Sequence, residues 1–132
     1  MPEYAAAQQN LNAIKTQYDA EMKRVEDEFN KKYEEFLDGQ KNFAPSILNK
    51  RHAELQELLN KNKAFKEKAN QLLEQAKEDA YKPLRDKLSE ILKGIGDAKG
   101  YAFILNTDGF AVPYISGAVG EDVTPLIKSS LQ

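Results

Sequence analysis

From Ser46 to Lys99 the sequence keeps a helical hydrophobic period throughout, with one internal proline, Pro83. From Leu55 the apolar positions fall at Leu55, Leu58, Phe65, Ala69, Leu72 and Ala76, in steps that hold one stripe along a helix; only Asn62 interrupts it. At 1.5 Å per residue such a helix is about 80 Å long. A narrow apolar seam among charges is stable only against a partner helix, so the fold turns on where that partner comes from.

The partner lies directly upstream. Leu11, Ile14, Tyr18, Met22, Val25, Phe29, Tyr33 and Phe36 follow in steps of 3, 4, 4, 3, 4, 4, 3. That cycle repeats every eleven residues, about 3.67 per turn, and predicts straight or slightly right-handed winding. The downstream stretch favours left-handed winding, so an irregular two-helix coil is expected, with Asn62, Ala69, Ala76 and Ala80 in its seam. In the connection Asp38–Ser46, Gly39 can end one helix, Pro45 cannot continue it and Ser46 can cap the next. A reversal this short makes an antiparallel hairpin, with Leu11–Phe36 packed along Ile47–Ala76. Near its tip Phe36, Leu37, Phe43, Ile47 and Leu48 are more apolar side chains than a two-helix seam covers. They either close the tip over one another or bind a partner.

Pro83 removes a helical hydrogen bond at a cost of about 3 kcal/mol, which predicts a kink or break near Tyr81. Beyond it Leu84, Leu88, Ile91, Leu92 and Ile95 make a wider apolar face, suited to a core. After Gly94, Gly96 and Gly100 the period changes: Tyr101–Leu105 and Phe110–Ile115 read as two strands around an Asp108-Gly109 turn. Two strands alone are marginal in water and need further strands, and Pro113 puts the second at an edge or bulge. A Thr124 cap with Pro125 at the first helical position leads into a short helix over Leu126–Leu131. The expected fold is mainly α with a small β body, in a single unit spanning residues 1–132. A helical-hairpin arm takes about residues 5–82 and the C-terminal part of the body about 83–132.

Function classes narrow by exclusion. Formal charge is −2, spread as −1 over residues 1–52, +1 over 53–99 and −2 over 100–132, so no basic face marks a nucleic-acid binder. Without cysteine there is no disulfide, thiolate catalysis or cysteine-bound metal. His52 is the only histidine and reads as a solvated surface residue, since a metal or a triad needs companions. Glu34-Glu35 and Glu78-Asp79 point to different sides of a helix and read as solvating charge. Gly94, Gly96 and Gly100 follow a helix and precede a strand, the reverse of a dinucleotide fingerprint. Lys61, Lys63, Lys66 and Lys68, opposed only by Glu67, suit phosphates, lipid headgroups or acidic segments, against a solvated helix face as the plainer reading. Apolar runs fall far below the roughly 20 residues that cross a bilayer, and Met1-Pro2-Glu3 is not a signal peptide. No enzyme, metal, cofactor or stable membrane insertion is expected.

The order of parts, from Met1-Pro2-Glu3-Tyr4 through the long hairpin to Gly100–Leu105 and Asp122-Val123-Thr124, resembles the Skp (OmpH-like) family of periplasmic chaperones. The resemblance covers essentially the whole chain, and its specific matches lie at the two ends. It implies an ATP-independent holdase that binds unfolded outer-membrane proteins in the periplasm and prevents their aggregation. It also implies a homotrimer whose sheets join in a body while three arms surround a cavity. Clients would then meet Phe36, Leu37, Phe43, Ile47 and Leu48, with Lys61, Lys63, Lys66 and Lys68 secondary. Trimer contacts would fall on Tyr101, Phe103, Leu105, Val112, Tyr114 and Leu126. Two departures stand out: a strand usual in the family before the Met1–Tyr4 region does not appear, and the chain is slightly acidic where well-known members are strongly basic. The latter shifts the expected contacts from electrostatic capture toward apolar and mixed-charge ones. The alternative function is a structural coiled-coil adaptor that docks one folded partner.

Overall fold

A computed structural model describes the chain from Met1 to Gln132. It contains three helices, α1 Pro2–Gly39, α2 Pro45–Lys99 and α3 Thr124–Ser130, and no strand. The chain divides into two compact units, Ala7–Asp79 and Met1–Ala6 together with Ala80–Gln132.

Ala7–Asp79 is an antiparallel pair made from α1 and α2. Two cross-helix contacts set the register. The Asn62 side chain reaches the Val25 carbonyl, and the Phe36 ring lies 6.3 Å from that of His52. Eleven residues onward along α1 thus correspond to ten backward along α2. On α1, Leu11, Ile14, Tyr18, Met22, Val25, Phe29 and Phe36 are all at least half-buried, as the eleven-residue cycle requires. Tyr33 stays exposed, stacked on Phe29 at 6.0 Å. In this unit only Leu55 and Ala69 are buried, at 9% and 5% exposure, because two helices cover a single line of side chains.

The seam on α2 differs from its sequence reading at one step. Leu72 is 43% exposed and Leu73 takes the inward position instead. With that change Phe65, Ala69, Leu73, Ala76 and Ala80 advance by 4, 4, 3 and 4. This is the cycle of α1, so from Phe65 onward the two helices share one period and the expected conflict of winding disappears. Both neighbours are leucine, so local hydrophobicity does not distinguish them; the facing helix does.

The reversal uses five residues. Gly39 ends α1, and the Asn42 N–H donates to its carbonyl at 2.9 Å. The Phe43 ring folds over Gly39 so closely that a Cβ there would sit 2.6 Å from Cζ. Pro45, not a residue after Ser46, is the first helical residue of α2. The Ala44 carbonyl accepts the Leu48 N–H at 2.9 Å, which makes Ala44 the cap position. Proline fits there because its φ is preset and its missing donor would have had no helical acceptor.

In the second unit, Pro83 does not end the helix: α2 continues through it to Lys99. Contacts from the start of α1 flank it. Tyr4 stacks on Tyr81 at 5.6 Å, and Glu3 pairs with Lys87 at 3.1 Å. These contacts help offset the lost backbone bond. Leu84, Leu88, Ile91, Leu92 and Ile95 are half-buried, so the wider face is covered only in part. At the end of α2, Gly100 adopts φ +71° and the Tyr101 N–H donates back to the Gly96 carbonyl at 3.0 Å. This six-to-one bond after a left-handed glycine is a Schellman stop.

The two expected strands do not form; residues 101–123 are turns and irregular chain. The physical reason was already visible in the count of strands, since a lone two-stranded hairpin does not hold itself together in water. Local hydrogen bonds take over instead. The Asn106 side chain accepts the Asp108 N–H at 3.0 Å, and the Gly120 N–H donates to the Ser116 carbonyl at 2.7 Å. The segment is tied back at three points: Ile104 lies beside Gly96, Glu121 meets Tyr101 and Lys99, and Val123 is buried. For α3 the cap is Val123, one position earlier than expected, with Thr124 and Pro125 the first two helical residues. The Asp122 carboxylate, not a threonine hydroxyl, accepts the Thr124 N–H at 2.9 Å. Leu126 is exposed while Ile127 and Leu131 are half-buried.

Candidate functional site

The tip of the hairpin in Ala7–Asp79 holds a groove of about 520 Å³. Its apolar lining comes from Phe36 on α1, Phe43 in the reversal, and Leu55 and Leu58 on α2. Lys32 and Glu35 border it from α1, and Arg51, Glu54, Glu57 and Lys61 from α2. Gly39 makes this possible: without a Cβ it lets the Phe43 ring fold back across the end of α1. Ile47 stands eleven residues before Leu58, three helical turns, and so on the same side of α2.

The expected tip residues divide accordingly. Phe36 and Phe43 meet in the groove, and both are half-buried. Leu37 and Ile47 are exposed, whereas Leu48 is half-buried, and none of these three lines the groove. Of the four lysines, only Lys61 borders it, paired with Glu57 at 3.1 Å. At 100° per residue, Lys61 and Lys68 share one side of α2 while Lys63 and Lys66 point to nearly the opposite side. The lysine run is therefore two pairs, not one patch. Glu35 was read from the sequence as solvating charge, and Lys32, Arg51 and Glu54 were given no site role; all four look like ordinary solvating charge until the reversal brings the two helices side by side.

A second surface of interest is the irregular segment after α2. Phe103 is 73% exposed, Tyr114 80% and Val119 89%; Phe110 is completely open, and Leu105 and Ile115 are exposed as well. Of the expected contact residues here, Tyr101 and Val112 are half-buried, while Phe103, Leu105, Tyr114 and Leu126 are exposed. The Tyr101 hydroxyl donates to the Glu121 carboxylate. That bond, helped by Lys99, holds the Glu121 carboxyl below its ordinary range, and the same bond raises the Tyr101 phenol. Phe110, Ile115 and Val119 extend the open apolar surface beyond the residues expected of it. Their hydrophobic character was legible; their exposure follows from the missing strand pairing.

No three histidine or acidic side chains converge to hold a metal ion, and no helix is long and apolar enough to cross a membrane. What the arrangement offers is apolar side chains among paired charges. Residues 1–131 match the family described as outer membrane protein (OmpH-like). The chain belongs to the OmpH-like family. OmpH-like proteins are known as periplasmic chaperones of outer-membrane proteins. The match therefore spans the helical hairpin as well as the two end segments on which the resemblance was read. No curated protein matches the chain, and no solved structure does.

Proposed function

We propose that this protein is an ATP-independent holdase that binds unfolded outer-membrane proteins in the periplasm and keeps them from aggregating. The observation that carries the reading is the family match over residues 1–131. Surface chemistry supports it: Leu37, Ile47, Leu59 and Leu72 are exposed on helices whose other open positions are mostly charged or polar. Scattered apolar contacts among charges hold an unfolded chain weakly at many points and let it go without chemistry. Clients meet Phe36, Leu37, Phe43, Ile47 and Leu48, with Lys61, Lys63, Lys66 and Lys68 contributing from the two sides of α2.

The working form in this reading is a homotrimer. Its contacts are Tyr101, Phe103, Leu105, Val112, Tyr114 and Leu126, in the body of about residues 83–132; the arm of about residues 5–82 stays free for clients. The support is the set of exposed apolar side chains Phe103, Leu105, Phe110, Tyr114, Ile115 and Val119 along one segment, the kind of surface that marks an interaction site. Pairing between copies would supply the strand partners that one chain lacks.

The test is dilution of an unfolded β-barrel protein into a molar excess of this one, followed by light scattering, with molar mass measured in parallel. Suppressed scattering by a species of three chains is the expected result. Unchanged scattering overturns the reading, as does fixed-stoichiometry binding of one folded protein without protection of unfolded chains, the behaviour of a structural adaptor.

A further inference from the structure

The tip groove has an electrostatic asymmetry that its composition hides. Its lining carries three cations and three carboxylates, Lys32, Arg51 and Lys61 against Glu35, Glu54 and Glu57. Lys61 pairs with Glu57 at 3.1 Å and Arg51 with Glu54 at 3.6 Å. Lys32 turns along its own helix to Glu28 at 3.4 Å. Every cation is therefore engaged by a carboxylate on its own helix, and Glu35 is the one charged lining residue without an ion-pair partner. It stands one residue before Phe36, whose ring forms part of the apolar lining together with Phe43, Leu55 and Leu58.

We propose that this groove takes a short extended segment of unfolded chain in which a lysine or arginine stands beside two large apolar residues. The apolar side chains lie on Phe36, Phe43, Leu55 and Leu58, and the cation meets Glu35. A volume of about 520 Å³ is in the range that seats a drug-sized ligand, a few side chains rather than a folded element. An α-helix, about 10 Å across with its side chains, would need a longer trough. The unpaired carboxylate decides the sign of the preferred charge, because an acidic segment would meet Glu35 with no free cation in the lining to answer it. This inference rests on the holdase reading and gives that reading a preferred client sequence.

The test uses the full chain and three fluorescein-labelled peptides in a Gly-Ser frame: Phe-Lys-Leu, Phe-Glu-Leu and Gly-Lys-Gly. Fluorescence anisotropy at low salt reads their affinities for the wild type and for Glu35→Lys, with circular dichroism at 222 nm confirming equal helicity. The wild type is expected to bind Phe-Lys-Leu tightest, about threefold or more over Phe-Glu-Leu, the size of an exposed charge contact. Glu35→Lys should invert that order, and Gly-Lys-Gly should bind neither protein measurably. Equal affinity of the Lys and Glu peptides for both proteins overturns the groove assignment, and so does tight binding of Gly-Lys-Gly. If aggregation is suppressed while the charge preference fails to invert, the groove assignment falls and the holdase reading stands. If the preference inverts while aggregation is unaffected, the groove is confirmed and the holdase reading falls.

Discussion

The Asn62 side chain donates from Nδ2 to the main-chain carbonyl of Val25 at 3.1 Å, reaching from α2 to α1 across the hairpin seam. It is the one polar side chain on the stripe that otherwise runs from Leu55 to Ala76. A polar residue at such a position fixes how two helices are aligned, at some cost in stability relative to an apolar one.

Opposite effects are therefore expected from two substitutions at this site. Asn62→Ala removes the bond and leaves a gap, lowering stability by about 1 kcal/mol. Asn62→Leu fills the seam and raises the urea midpoint, while loosening the alignment. Urea unfolding measures the first quantity, and a disulfide-trapping scan between introduced cysteines on α1 and α2 measures the second. A single trapped register in Asn62→Leu would remove the alignment role.

The contact of Tyr101 with Glu121 makes the attachment of the segment after α2 depend on pH at both ends of the scale. Glu121 has a lowered folded pKa, so its contribution is present above its ordinary value of 4.5 and is lost as pH falls through the folded value. Tyr101 has a raised pKa, so its contribution is present below its ordinary value of 10.0 and is lost as pH rises through the folded value. Protection of residues 101–123 against hydrogen exchange, corrected for the intrinsic pH dependence of amide exchange, should fall as pH drops below about 4.5 and again as it rises above about 10. Tyr101→Phe should show the faster exchange at neutral pH and a weaker dependence on either side.

Gly100 holds φ +71° at the stop of α2. Gly100→Ala should lower stability by roughly 1 kcal/mol, since a Cβ is disfavoured in the left-handed region, and Gly100→Asn should lower it less. Beyond the adjoining residues no atom lies within 4 Å of the added Cβ, so any loss reports local backbone conformation and not a clash with the rest of the fold. Thermal unfolding of the three proteins orders them; equal midpoints for Gly and Ala would contradict the Schellman stop.

Pro83 stands inside a helix that continues past it on both sides. Pro83→Ala restores a backbone donor and removes the ring's clash with the preceding turn, so stability should rise, by up to about 3 kcal/mol. Helicity at 222 nm should barely change, because the residues on both sides are already helical. A large gain in helicity would mean that the helix is interrupted at Pro83 in solution.

The stops of the two long helices were legible because each rests on a residue with its own backbone preference: Gly39 and Gly100 mark the ends of α1 and α2. The start of α2 was placed too late, after a Ser46 cap, because Pro45 reads as a stop from one side and is a favoured first helical residue from the other. The cap of α3 was misplaced by one position because Asp122, Val123 and Thr124 offer competing local hydrogen bonds, and the Asp122 carboxylate takes the Thr124 N–H. Tip residues Phe36 and Phe43 were found by counting apolar side chains against the seam available to them. Glu35 was not, since a carboxylate on a charged helix carries no mark of the groove it borders.

By itself the sequence determined which stretches are helical and that two of them pair antiparallel, because period, glycine and proline act within a few residues. Tertiary structure decided everything that depends on a facing surface. It chose Leu73 over Leu72 for the seam and carried α2 through Pro83 with Tyr4 and Glu3 alongside. It also left Tyr101–Leu105 and Phe110–Ile115 unpaired. A strand is stable only when its backbone groups find partners, and strand propensity cannot supply them from within one short hairpin.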